Sequence, residues 1–68
     1  MNKINEIIGM AKLRPKYIRL GQYLFNECYK AYPDDTDELR GTEFDCFYDN
    51  SKVDIFLEKL NEKIENKL

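Results

Sequence analysis

The sequence predicts an all-α protein, a small bundle of three to four helices with an ordered aromatic and acidic loop before the last helix. Three observations predict it. Apolar residues recur at spacings of three and four along most of the chain, the period of a helix with one buried face. Pro15, Pro33 and Gly41 divide the chain into helix-length segments, because proline disfavours helix at the residue before it and glycine commonly closes a helix end. No run of alternating apolar and polar residues marks a strand. The 68 residues leave room for a single helical domain, 1–68, with one core. A chain of this length buries only about 60% of the surface it exposes when unfolded, so well-packed helices or a partner subunit are expected to supply its stability.

The elements follow in order. From Asn2 to Leu13, the side chains Ile4, Ile7, Ile8 and Ala11 fall on one face of a first helix, which Gly9 weakens. A second helix is expected from Pro15, at the favoured first helical position, to Tyr32, where Pro33 stops it. Tyr17, Leu20, Gly21, Leu24, Cys28 and Ala31 form its stripe, and Ile18, Phe25, Tyr29 and Tyr32 widen the apolar arc to about half the circumference. So wide an arc predicts two neighbours, and Gly21 predicts the close approach of another helix. Pro33 to Arg40 reads as a short acidic helix or turn, with Asp34, Asp35 and Asp37 at its positive end and Gly41 closing it.

Thr42 to Asn50 has no helical period but carries Phe44, Phe47 and Tyr48, which predicts an ordered loop pinned by aromatic rings. Ser51-Lys52-Val53-Asp54 has the form of a capping box. In the last helix, Val53, Phe56, Leu57, Leu60, Ile64 and Leu68 share one side, with Glu58, Lys59, Glu62 and Lys63 opposite and Ile55 as the exception. Lys63 and Lys67 would occupy heptad core positions, which argues against a sustained coiled coil.

Charge and composition exclude several kinds of function. The net charge of −2 is too small for bulk charge to mark a strongly basic nucleic-acid binder or an acidic decoy. Its distribution is uneven. Residues 1–32 hold six basic and two acidic side chains (+4), residues 33–54 eight acidic and two basic (−6), and residues 55–68 balance. The chain has no histidine and only two cysteines, Cys28 and Cys46, so the Cys-x-x-Cys and His-x-x-x-His spacings that build a zinc site are absent and a serine or cysteine nucleophile has no histidine base. The acids between Asp34 and Asp54 do not follow the calcium-loop spacing. A carboxylate pair such as Asp34 and Asp35 needs a cleft that separates its pKa values before it does acid and base work. No metal, no cofactor and no enzymatic activity are expected. The opening run Met1 to Glu6 lacks the apolar core of a signal peptide, and nothing approaches the roughly 20 apolar residues of a bilayer span. The expectation is therefore a cytoplasmic protein with two free thiols and no membrane partner.

Two surfaces are candidates for binding. The first is the loop, where Phe44, Asp45, Phe47, Tyr48 and Asp49 bring together the aromatic residues that interface centres favour. Tyr23 joins it as a second anchor, because it falls on the polar side of the second helix between Arg19 and Lys30. The expected occupant is a protein of the host or of the same genome, with a homodimer as the other candidate. The alternative surface is the basic helix junction Lys12, Arg14, Lys16 and Arg19, which suits phosphate or a nucleic-acid backbone. Each has a plainer explanation: loop aromatics peg cores, acids cap helices, and charges keep small domains in solution.

One longer pattern stands out. Arg19-Leu20-Gly21-Gln22 with Asn26 and Pro33, then Leu39-Arg40-Gly41-Thr42, Asp45, Phe47-Tyr48-Asp49 and Phe56-Leu57, resembles a family of short uncharacterised bacterial and bacteriophage proteins. The resemblance covers the 39 residues from Arg19 to Leu57. It implies a bacterial or phage setting, in which a small protein without catalytic groups would bind a host protein and block or redirect it. Cys46 stands where that pattern has proline, which implies a looser loop and argues against a structural disulfide.

Overall fold

A computed structural model describes residues 3–67; the expected helix ends at Asn2 and Leu68 lie outside them. Four α-helices are joined by turns, and the described residues form no strand. Helix α1 spans Ile4–Met10 and tightens into a 3-10 turn at Ala11–Leu13. Helix α2 spans Leu20–Ala31, α3 Pro33–Leu39 and α4 Val53–Glu65, the last preceded by a 3-10 turn at Asn50–Lys52.

On α1, Ile4 and Ile7 are buried and Ala11 continues their face into the 3-10 turn. Ile8, expected on the same face, is 40% exposed at its edge.

Helix α2 does not begin at Pro15, and the reason is a side chain. Arg14 is extended (φ −64°, ψ 153°), as the residue before proline prefers. Its guanidinium donates from Nη1 to the Ala11 carbonyl and from Nε to the Ile18 carbonyl, both at 3.0 Å. Ile18 N–H closes a turn on the Pro15 carbonyl at 3.0 Å, and Arg19 is again extended (φ −65°, ψ 152°). The segment is thus a self-contained turn, and Tyr17 leaves the expected buried stripe to stand 87% exposed. The helix starts where Asn50 supplies its cap, Oδ1 accepting the Gly21 N–H at 2.8 Å from 29 residues along the chain.

Beyond that start the expected stripe is in place: Gly21, Leu24, Phe25 and Cys28 are buried. Tyr32 breaks the helix (φ −137°, ψ 69°) and Pro33 opens α3 at its first position. Gly41 follows α3 with φ +74°, the left-handed conformation that closes helices at little cost only in glycine. The short acidic helix also buries Thr36 and Leu39. Two ion pairs tie it to the last turn of α4 and the residues after it, Lys63 to Glu38 and Lys67 to Asp35, each at 2.6 Å.

The Ser51 capping box does not form. Ser51 lies inside the 3-10 turn, and Asp49 caps that turn by accepting from Ser51 N–H at 2.9 Å and Ser51 Oγ at 2.6 Å. Helix α4 buries Val53, Phe56, Leu60 and Ile64 and turns Ile55 outward, as its period requires. The core closes where the Phe25 and Phe56 rings meet, 5.5 Å between centroids. Its radius of gyration, 11.0 Å, is that of a well-packed domain of this length, about 11 Å.

Candidate interaction surface at the aromatic loop

The loop between α3 and α4 is built by its own side chains. Thr42 Oγ1 donates to the Leu39 carbonyl at 2.7 Å and accepts Phe44 N–H at 3.2 Å. Asp45 organises the next turn with both oxygens, Oδ2 accepting Gly41 N–H at 2.7 Å and Oδ1 accepting Phe47 N–H at 2.9 Å. Asp49 then caps the 3-10 turn, and the donated Ser51 bonds hold its carboxyl below the usual carboxylate range.

The loop docks on α2 at Gly21. The Cys46 carbonyl lies so close that a Cβ at position 21 would overlap it, and the Cys46 thiol donates to the Gly21 carbonyl at 3.4 Å. The close approach predicted at Gly21 is therefore real, but the approaching element is the loop backbone rather than a helix. Cys46 is fully buried and fastens the loop, which corrects the expectation that it loosens this stretch. Both thiols are free, and burial pushes Cys28 and Cys46 up to about 12, the neighbouring Cys46 and Glu27 adding to the effect at Cys28 and Asp45 at Cys46. Buried and protonated, they are unreactive.

Phe47 packs edge-on against Phe25 at 5.7 Å, and its carbonyl accepts from Arg19 Nη2 at 3.0 Å. Arg40 lies over two rings of α2, its guanidinium carbon 5.0 Å from the Phe25 centroid and 5.4 Å from that of Tyr29, while Asp37 holds Nε at 2.9 Å. Arg40, Gly41, Asp45, Phe47 and Tyr48 line a shallow cleft of about 270 Å³. Tyr48 stands at its edge, 82% exposed, touching Phe47 edge-on at 4.7 Å.

The six residues expected to meet a partner do not form one patch. Asp45, Phe47 and Tyr48 lie together, with Asp49 next in the chain. Phe44 faces α4, where Lys59 sits 5.5 Å above its ring. Tyr23 is half-buried in a separate cleft between α1 and α2, beside Ile7 and Met10. The cause is the helical period: Phe25 and Tyr29 turn toward the loop, Tyr23 toward α1. Arg40 was missed as a member of the site, although its place beside Gly41 in the Arg-Gly-Thr run was a signal for it.

Of the four basic residues at the helix junction, Arg14 and Arg19 are engaged with backbone carbonyls, and Lys12 and Lys16 are exposed. Among the described residues, no group of three or more Cys, Asp or Glu side chains is arranged to hold a metal ion, and no helix is long and apolar enough to cross a membrane. Comparison of the chain with protein-family models, with curated proteins and with solved structures gives no match.

Proposed function

We propose that the protein is a non-enzymatic interaction module that presents Tyr48 and the cleft beside it to another protein. One observation carries this reading. Asp45, Phe47 and Asp49 in the loop, with Gly41 before them, each have a structural task, whereas Tyr48 exposes a large ring that touches Phe47 edge-on and contributes little to the core. Exposed tyrosine at the rim of a cleft is the amphipathic anchor that interface centres favour. Arg40 and Asp45 at the cleft walls add a polar frame that would fix orientation.

The resemblance of the Arg19 to Leu57 run to short bacterial and bacteriophage proteins supports a regulator or inhibitor of a host protein. The competing reading, an accessory protein bound to nucleic acid through Lys12, Arg14, Lys16 and Arg19, has less support, because two of those four side chains already donate to backbone carbonyls.

The 68-residue chain, immobilised and exposed to bacterial lysate, provides the test, with Tyr48→Ala beside a Lys12→Glu/Lys16→Glu variant. All these positions are exposed, so stability should move by no more than about 0.5 kcal/mol. A specific protein should be retained by the wild type and by the lysine variant, and lost on Tyr48→Ala by about 30-fold in affinity, the scale of an aromatic hot spot. Retention that Tyr48→Ala leaves intact would remove the proposal.

A further inference from the structure

A second surface lies at the other end of the fold, from α1 to the start of α2. Twenty consecutive residues, 7–26, contain no carboxylate and four cations. Several of the large apolar side chains the fold leaves in solvent fall in the same stretch: Ile8, Met10, Leu13 and Tyr17, with Leu13 at 79% exposed. Leu13 and Tyr17 flank Pro15 at the edge of a turn that Arg14 clamps shut, so they are held out by structure rather than by fraying. Beside them, Ile8, Ala11, Leu20, Leu24, Val53 and Leu57 floor an open groove of about 410 Å³, with Lys12 and Arg14 on its rim and Asp54 the one carboxylate lining it.

Exposed apolar side chains interleaved with the exposed cations Lys12 and Lys16 suit an anionic bilayer in both respects. Lysine and arginine gain from the surface potential of acidic headgroups, and leucine and tyrosine gain from entering the headgroup and acyl boundary. A nucleic-acid backbone would use the cations but leave Ile8 and Leu13 in water. A symmetric second copy would set two cationic patches against each other.

We propose that residues 8–17 form a peripheral docking edge for membranes rich in anionic phospholipid, with Leu13 and Tyr17 entering the interface and the exposed Lys12 and Lys16 facing the headgroups, while Arg14 holds the turn that presents them. Contact of this kind needs no spanning helix. It also uses none of the residues around Tyr48, so the two proposals stand or fall separately.

The full chain is sedimented with vesicles of equimolar phosphatidylglycerol and phosphatidylcholine, with vesicles of phosphatidylcholine alone, and titrated against duplex DNA and inorganic phosphate. Binding is expected to the anionic vesicles only, weakening steeply with salt. Leu13→Ser/Tyr17→Ser should weaken it by about a hundredfold, about tenfold for each apolar insertion lost, and Lys12→Glu/Lys16→Glu by at least tenfold. All four positions are exposed, and circular dichroism melts should confirm that the variants remain folded. The proposal is overturned if anionic vesicles bind no better than neutral ones at low salt. It is overturned equally if Leu13→Ser/Tyr17→Ser binds vesicles as the wild type does, or if the chain prefers DNA with an affinity those apolar changes leave untouched.

Discussion

Gly21 has no side chain because the carbonyl of Cys46 occupies the space where one would begin. A methyl group there meets backbone rather than a yielding side chain, and it sits 3.1 Å from the Asn50 oxygen that caps α2. Gly21→Ala must therefore push the loop off the helix, losing the Cys46 thiol contact and the Asn50 cap together. The gain in helix propensity, about 1 kcal/mol, is smaller than the overpacking cost of about 3 kcal/mol. Urea denaturation should show a net loss of about 2 kcal/mol or more, and a variant as stable as the wild type would mean that the loop does not dock as described. Thr36 offers the opposite sign. It is fully buried in α3, and its Oγ1 has no hydrogen-bond partner among the described residues. A buried hydroxyl left unsatisfied costs about 1–3 kcal/mol. Thr36→Val keeps the branched shape, removes the stranded oxygen and should stabilise the fold by about 1 kcal/mol, raising the melting temperature by roughly 4–8 °C. An unchanged or lower melting temperature would show that the hydroxyl is satisfied after all.

At the scale of elements, what could be read from the sequence was whatever is fixed by a local period or a local stop. The buried faces of α2 and α4 follow from residues three and four apart, and Tyr32-Pro33 and Gly41 end their helices by backbone geometry alone. The loop at Thr42 to Asn50 was legible for the complementary reason, having aromatic residues without a period. The misread boundaries were set by partners distant in sequence or by competing side chains. Helix α2 starts at Leu20 because Asn50 caps it and because Arg14 diverts the Ile18 carbonyl; proline position alone pointed to Pro15. Ser51 carries the right spacing for a capping box, yet Asp49 two residues earlier captures its N–H and hydroxyl first. The candidate surface was legible in the same proportion. Tyr48 and its neighbours lie adjacent in sequence and remain adjacent in space, whereas grouping Tyr23 with them required knowing which neighbour each side of α2 would meet.

Over the whole molecule, the loop and the helices are joined around two buried thiols, and that gives stability a defined dependence on pH. Cys28 and Cys46 titrate near 9.0 when unfolded and are pushed up to about 12 in the folded chain, chiefly by burial. Their folded values lie above their unfolded ones, so the folded state holds its protons longer. Their contribution is complete below pH 9, where both states are protonated, and is lost as pH rises toward the folded value. Above the unfolded value each thiol removes about 1.4 kcal/mol of stability per pH unit. The ammonium of Lys67, raised by its hydrogen bond to Asp35, works in the same direction from the surface. A domain with about 5 kcal/mol to lose is exhausted after roughly two units of two-thiol linkage, which sets alkaline unfolding near pH 11. Urea midpoints should hold steady up to pH 9 and then fall, and thiolate absorbance should rise together with the loss of helical circular dichroism rather than ahead of it. Cys28→Ala/Cys46→Ala will be less stable at neutral pH because two core side chains are truncated, but its midpoints should decline more gently above pH 9. Parallel decline in the two proteins would mean that the buried thiols do not limit the fold at high pH.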